Sequence, residues 1–334
     1  MSQVDWPAWH CPQHLEVLDI SAKRLDCSRE HHFDIVRGVP RFVSGSTYAD
    51  HFGAQWNRFR RTQLDSYTHL PITRDRLRRC FGEDLWNSLP GKHVLECGCG
   101  AGRFTEILIA RGARVTSIDL SDAVDANADQ FPPGEFHRIA QADIGQLPFA
   151  PRSFDVVLCL GVIQHTPDSE RTIAQLYNQL APGGSLIIDH YVLTLNWYLK
   201  TAPLFRAFMI HMNPAAALRL TEVLVQRLLP LHKMVRNVPG IRSIVHRISP
   251  VMSYYSVYPE LSDELQREWA LLDTHDTLTD RFKHSRDRAQ INGILRSLGM
   301  EDIWCAQGGN GVEARGRRVQ GVASSPEAPA TSMR

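Results

Sequence analysis

Between His93 and Thr105 the chain reads His-Val-Leu-Glu-Cys-Gly-Cys-Gly-Ala-Gly-Arg-Phe-Thr: a short apolar run, an acid, then glycines at 98, 100 and 102. A strand that stops in such a loop and restarts as a helix exposes backbone N–H groups and lets a ligand approach the main chain closely. A dinucleotide fingerprint needs its third glycine at position 103, where Arg103 stands. Nicotinamide binding is therefore excluded.

The segments beyond the loop have the order of an open parallel sheet. Arg114–Leu120 predicts a second strand ending in Asp119, and an acid there can accept both ribose hydroxyls of a nucleotide. Asp143 lies just beyond a third strand. Phe154–Gly161 is a nearly continuous apolar run, as expected of a parallel strand buried on both faces. Ser169–Leu180 has helical periodicity, Ala181-Pro-Gly-Gly184 stops it, and Ser185–Asp189 is a fifth strand. Alternation at this interval predicts an α/β fold, a doubly wound Rossmann-like sheet.

From about Leu89 to Val192 the sequence resembles class I S-adenosylmethionine-dependent methyltransferases, on the glycine motif and the ordered acids Glu96, Asp119 and Asp143. The resemblance implies S-adenosyl-L-methionine as cofactor. Glu96 and the loop Gly98, Gly100, Gly102 would face its methionine moiety. Asp119 with Leu120 would hold the ribose, Asp143 with Ile144 the adenine amine, and Leu160 and Gly161 would line the base. An oxygen acceptor of high pKa also needs a base near the methyl group. His165 after the fourth strand is the first candidate, followed by His190 after the fifth and His275 in a later loop, with Tyr191 and Asp276 weaker.

The N-terminal segment carries a second signal. Cys11-Pro-Gln-His14 and Cys27-Ser-Arg-Glu-His31 pair soft ligands at spacings that can converge on a tetrahedral zinc, with His32 as a substitute for His31. The segment has few large apolar residues, so one structural metal would supply folding energy that burial cannot. It resembles the zinc ribbon of bacterial ribosomal-RNA guanine methyltransferases, from whose four-cysteine form His14 departs. Four protein ligands leave no open position, which excludes a catalytic metal.

A formal net charge of +1 over 334 residues gives no global attraction to nucleic acid or acidic lipid. With Asp5 near the start and no apolar h-region, no secretory signal is expected, and no apolar run reaches membrane-spanning length. Seven cysteines, several in core strands, lead us to expect a reduced, cytoplasmic protein. Locally, Lys200–Pro250 holds eight Lys/Arg against one acid, Glu222. That stretch suits a helical lid over a hydrophobic acceptor first, then a homodimer contact, then a peripheral membrane contact, then RNA.

The expected organisation is a ribbon-like module (1–45), a helical cofactor-covering segment (46–88) and the cofactor-binding core (89–194). A helical insert (195–290), a closing helix and strands (291–322) and a disordered tail (323–334) complete it. The expected activity is methyl transfer to oxygen or nitrogen of a small hydrophobic or glycosidic metabolite. A ribosomal-RNA guanine methyltransferase and a non-catalytic scaffold are the alternatives.

Overall fold

The computed structural model describes residues 6–45, 47–193, 195–309 and 311–321. The tail 323–334, expected to be disordered, lies outside the described residues. Four short antiparallel strands open the chain: β1 (Asp19–Ile20), β2 (Arg24–Asp26), β3 (His32–Val36) and β4 (Val39–Pro40). Four helices come next: α1 (Asp50–Arg58), α2 (Asp65–Thr68), α3 (Ile72–Phe81) and α4 (Glu83–Asn87).

The central sheet is built from β5 (His93–Cys97), β6 (Arg114–Asp119), β7 (His137–Gln141), β8 (Phe154–Cys159), β9 (Leu180–Tyr191), β10 (Met300–Gly308) and β11 (Gly311–Arg318). Its order is β10-β11-β9-β8-β5-β6-β7. The five strands from β7 to β9 run parallel, whereas β11 inserts antiparallel between β9 and β10. Helices α5 (Arg103–Ala110), α6 (Ala123–Gln130) and α7 (Ser169–Asn178) make the crossovers. Strand order reverses between β5 and β8, so a crevice opens beyond their carboxyl ends, where open sheets of this kind bind ligands. The fold is a mixed α/β, doubly wound Rossmann-like sheet.

Strand alternation divides the core. On one face Val94, Val115, Val156 and Leu158 pack with Leu77, Phe81, Phe104 and Leu108. On the other, Leu95, Ile118, Val157 and Ile188 meet Ile173, Leu176, Ile291 and Leu295. Burial of each such side chain is worth roughly 1.5–3 kcal/mol, which is why the runs from β5 and β8 are apolar on both faces.

The N-terminal strands do not stand apart. Trp9, Leu18 and Leu25 join the second core face. The Phe42 N–H donates to the Gln141 carbonyl (2.8 Å), and Arg41 pairs with Asp125 (2.6 Å). The module is welded to the β7 edge, contrary to the expectation that it lacks apolar burial.

Two boundaries also differ from expectation. β9 starts at Leu180, so Ala181-Pro-Gly-Gly184 is strand. A side chain at Gly184 would meet the backbone carbonyls of Asp155 and Phe154 at 3.0–3.1 Å, a close strand crossing that the turn-like composition conceals. His275, expected in a loop, lies in a helix.

That helix belongs to the insert: α8 (Leu195–Tyr198), α9 (Ala202–Met209), α10 (Pro214–Val235), α11 (Pro239–Ile248) and α12 (Asp263–Thr279). The Ser262 hydroxyl caps α12 by accepting from the Leu265 N–H, and Asp263 and Glu264 complement its N-terminal dipole. Helix α13 (Arg288–Ser297), closed by a capping box from Asp287 and Gln290, returns the chain to β10.

Candidate functional site

A cavity of about 940 Å³ opens at the switch point. Its floor is the loop after β5, with Asp119, Leu120, Asp143, Ile144, Leu160 and Gly161 at the strand ends. Its roof comes from the segment around α1 (Tyr48, Phe52, Trp56) and from the insert (Met252, Tyr254, Tyr258, Trp269). This volume lies near the top of the roughly 300–1,000 Å³ typical of ligand pockets.

Local geometry explains the loop residues. Gly100 has φ +49°, and a Cβ there would come within 3.1 Å of the Trp56 ring. Gly102, at φ +98°, would meet Phe131 at 2.7 Å. Gly102 is thus a packing requirement and does not line the cavity, whereas Gly98 and Gly100 do. Asp119 accepts from the Gly100 N–H (2.9 Å), the Ser121 N–H (2.9 Å) and the Ser121 hydroxyl (2.7 Å). Burial raises its pKa, while those donors oppose the rise. Its oxygens retain acceptor capacity toward the cavity. Asp143 accepts from the Gly145 N–H (2.7 Å), which fixes the carboxylate at the rim.

Glu96 is a correction. It is fully buried beneath the loop and does not line the cavity. It shares a strand face with Val94, where the hydroxyls of Thr105 (2.5 Å) and Ser117 (2.7 Å) capture its carboxylate. Burial pushes its pKa up to about 7. Glu96 braces the strand–loop–helix turn through one carboxylate oxygen.

Of the three histidines, the structure brings only His165 to the cavity. It sits on a 3-10 turn, with Nε2 3.3 Å from the Tyr191 hydroxyl and Nδ1 3.1 Å from the Phe282 carbonyl and 3.4 Å from the Asp280 carboxylate. Burial alone would lower its pKa, but the Asp280 hydrogen bond and the charges of Asp276 and Asp280 outweigh it and raise the value. Asp280 is anchored in turn by Arg206 (2.6 Å) and Lys283 (2.5 Å).

His190 is buried outside the cavity, between the Ser169 hydroxyl (3.0 Å) and the Tyr191 carbonyl (3.1 Å). His275 packs on the opposite side of α12 from the cavity wall, its Nδ1 3.2 Å from the Thr221 hydroxyl. Burial holds its pKa down at about 4. Both have structural partners, and neither meets a ligand space.

The weaker base candidates Tyr191 and Asp276 also reach the cavity, and several other groups there carry no signal in a sequence motif. Trp269, Asp273, Asp276 and Thr277 line one wall from α12 at helical spacing, a pattern visible once the segment is read as a helix. Burial pushes Asp273 up to about 6, helped by the Asp276 charge and opposed by the Tyr254 hydroxyl that donates to it. Arg103, conspicuous in the sequence only for displacing a glycine, lines the cavity beside the loop. Its guanidinium donates to Thr73 Oγ1 (3.1 Å) and Gln63 Oε1 (2.9 Å) and lies over the Phe104 and Trp269 rings. No carboxylate pairs with it among the described residues. Its neighbour Arg76 is instead neutralised by Asp189 (2.5 Å) and Glu313 (3.2 Å), and Asp189 also accepts from the Gly161 N–H (2.6 Å).

Residues 95–188 match the family model described as a methyltransferase domain. The matched segment covers the loop, all the strand-end acids and β8. Ubiquinone biosynthesis O-methyltransferases from Pseudomonas putida and Pseudomonas syringae are 38% identical over 107 and 106 residues. Those matches cover 30% of this chain and 45% of each relative, so less than half of the curated relatives' length is spanned. Among solved structures, human N-acetylserotonin methyltransferase in complex with SAM is similar at 14% identity and a TM-score of 0.44, covering 80% of this chain and 57% of that one. An S-adenosylmethionine-dependent methyltransferase from Mesorhizobium loti is similar at 16% identity and a TM-score of 0.41, covering 73% and 96%.

Away from the cavity, three of the four N-terminal candidates come together. The ligand atoms of Cys11, His14 and His31 lie within 4.8 Å of one another. Cys11 Sγ is 3.7 Å from His14 Nδ1 and 3.6 Å from His31 Nδ1, and Cys27 Sγ is 3.4 Å from His14 Nδ1. Zinc–sulfur and zinc–nitrogen bonds of about 2.3 and 2.05 Å at a tetrahedral angle put the two ligand atoms about 3.6 Å apart. Cys11, His14 and His31 therefore stand at distances that suit a shared zinc ion, and Cys27 reaches His14 while its thiol also contacts Glu16 Oε2 (3.5 Å). His32 turns away to Asp26 (2.7 Å) and is not a ligand.

Proposed function

We propose that this protein is an S-adenosylmethionine-dependent methyltransferase acting on oxygen or nitrogen of a small, hydrophobic or glycosidic acceptor. The observation that carries the reading is one continuous cavity. The glycine loop, Asp119 and Asp143 occupy its floor, while aromatic side chains and buried carboxylates from the insert occupy its roof.

When bound, the cofactor supplies an electrophilic methyl on a sulfonium. The chain's own residues do the rest. Asp119 takes the ribose hydroxyls, Asp143 the adenine amine, and the unpaired Arg103 guanidinium the amino-acid carboxylate. Phe52, Trp56, Tyr254 and Trp269 exclude water and hold an apolar acceptor against the floor. His165 takes the acceptor proton at Nε2, with Asp280 fixing the ring through Nδ1, and Tyr191 and Asp276 orient the hydroxyl being methylated.

In the N-terminal module we infer one structural zinc held by Cys11, His14, Cys27 and His31. Its closed coordination gives it no part in the chemistry.

Purified protein incubated with radioactive cofactor and cell extract tests the reading. Label in an organic-extractable product supports it. Label in ribosomal RNA would transfer the chain to the guanine-modifying alternative, and tight cofactor binding with no labelled product would make it a scaffold.

A further inference from the structure

The insert turns its apolar side chains outward. Leu195 is 76% exposed, Leu204 74%, Ile244 61% and Ile248 59%, and Tyr198, Leu199, Phe208, Val238 and Ile241 are also exposed. In α11, Ile241, Ile244 and Ile248 share one face at helical spacing, while Val245 at the border of that face is buried. A surface helix of a globular protein normally points its apolar stripe inward. The two exposed stretches are joined by Thr201, whose N–H donates to the Arg247 carbonyl (3.1 Å) and whose hydroxyl donates to the Ile248 carbonyl (3.0 Å). Leu199 and Leu204 therefore border the α11 face and form one patch with it.

Charge follows the same surface. Of the basic residues in this stretch, Arg206 and Lys233 are neutralised by Asp280 and Asp263, and the single acid, Glu222, is taken by Arg58. Lys200, Arg242 and Arg247 form no ion pair among the described residues. Burial first, then the charges of Lys200 and Arg242, lowers the pKa of the intervening His246, which places these cations close together beside the patch. Two copies meeting through this face would oppose like charges. An RNA backbone would answer the cations but leave the isoleucines and leucines in water. An anionic bilayer answers both.

We propose that this face docks on an anionic lipid bilayer, its apolar side chains in the headgroup boundary and Lys200, Arg242 and Arg247 at lipid phosphates. No helix among the described residues is long and apolar enough to cross a membrane, so the contact is interfacial. Trp197 and Lys200 of this surface also line the cavity, as does the exposed Val257. The docked orientation thus turns the cavity mouth toward the lipid. Docking does not rest on the methyl-transfer reading, because it is measured without cofactor or turnover.

The test is co-sedimentation of the full chain with vesicles of phosphatidylglycerol and phosphatidylcholine, against phosphatidylcholine alone, at low and high salt. The protein is expected to partition onto the anionic vesicles, less so at high salt. The pair Ile244→Asp and Ile248→Asp should lower partition by about tenfold or more, since each buried apolar side chain contributes roughly that factor. Leu204→Glu is a second, independent variant, and unchanged thermal melting shows that each is folded. Arg242→Glu with Arg247→Glu should lower partition several-fold and flatten the salt dependence. Failure of the wild-type protein to bind anionic vesicles, or undiminished binding by the folded apolar variants, overturns the proposal. A wild-type dimer in sedimentation that Leu204→Glu dissociates would likewise overturn it, in favour of a second copy.

Discussion

Arg103→Met separates a ligand-binding arginine from a structural one, because the two roles predict opposite effects on the unliganded protein. Burial, with Arg76 adding repulsion, pushes the Arg103 pKa down to about 10, well below the ordinary guanidinium value. That fall corresponds to about 3 kcal/mol held against the folded state at neutral pH. Water reaching the guanidinium from the cavity reduces it. Methionine keeps the stem packed on Phe104 and Trp269 and removes the cost, but strands the Thr73 hydroxyl and the Gln63 carbonyl at about 1 kcal/mol each. Urea unfolding of the unliganded variant should therefore show a stability equal to the wild type or up to about 2 kcal/mol higher. The cofactor carboxylate would lose a charge-assisted bond worth roughly 1.5–3 kcal/mol, a roughly 10- to 150-fold weaker Kd by calorimetry. Unchanged affinity, or an unliganded variant less stable by more than about 2 kcal/mol, would refute the reasoning.

His165 and the N-terminal module each offer a further test. A histidine base must be neutral to accept a proton, and the His165 pKa is raised above the ordinary 6.5, so on the proposed mechanism kcat should climb with pH through that raised value and then level. His165→Gln should lower kcat by about 10²-fold or more and abolish the limb in a pH–rate profile. The same raised pKa stabilises the fold fully below pH 6.5, and that contribution fades as pH rises through the folded-state value. In the N-terminal module, elemental analysis should find one zinc per chain, Cys11→Ser should reduce it, and a chelator should lower the melting temperature of the whole chain, because Trp9 and Leu25 share the sheet's core.

Much of the fold is legible in the sequence because its signals are local and redundant. The loop at 98–102 and the acids closing β6 and β7 each sit where a parallel sheet ends a strand, and Cys11, His14 and His31 come together from the two spaced pairs. The features that stay hidden depend on direction or on long-range packing. Glu96 is legible as an acid before the glycines, but its capture by Thr105 and Ser117 depends on α5 and β6 packing over the same strand face. His275 looks like a loop residue in the sequence because Asp273, Thr274 and Asp276 around it are turn-like. The Ser262 cap and the absence of Gly and Pro through Thr279 are the helix signals that outweigh them. The Asp280 partner of His165 lies more than a hundred residues away in sequence, and only the insert's fold brings the two together. The outward apolar face of α11 is legible as amphipathic periodicity, but not as exposed, since periodicity does not say which side meets the protein.

The β5 loop, Asp119 and Asp143 are read as one nucleoside site, and the assignment of function depends on that reading. Titrating the purified full chain with S-adenosylmethionine and with its demethylated product in a calorimeter tests it most directly. One site per chain is expected, and Asp119→Ala should weaken it by about tenfold or more through loss of the ribose hydrogen bonds. A folded protein that gives no heat with either ligand, or an Asp119→Ala variant that binds as well as the wild type, would contradict it.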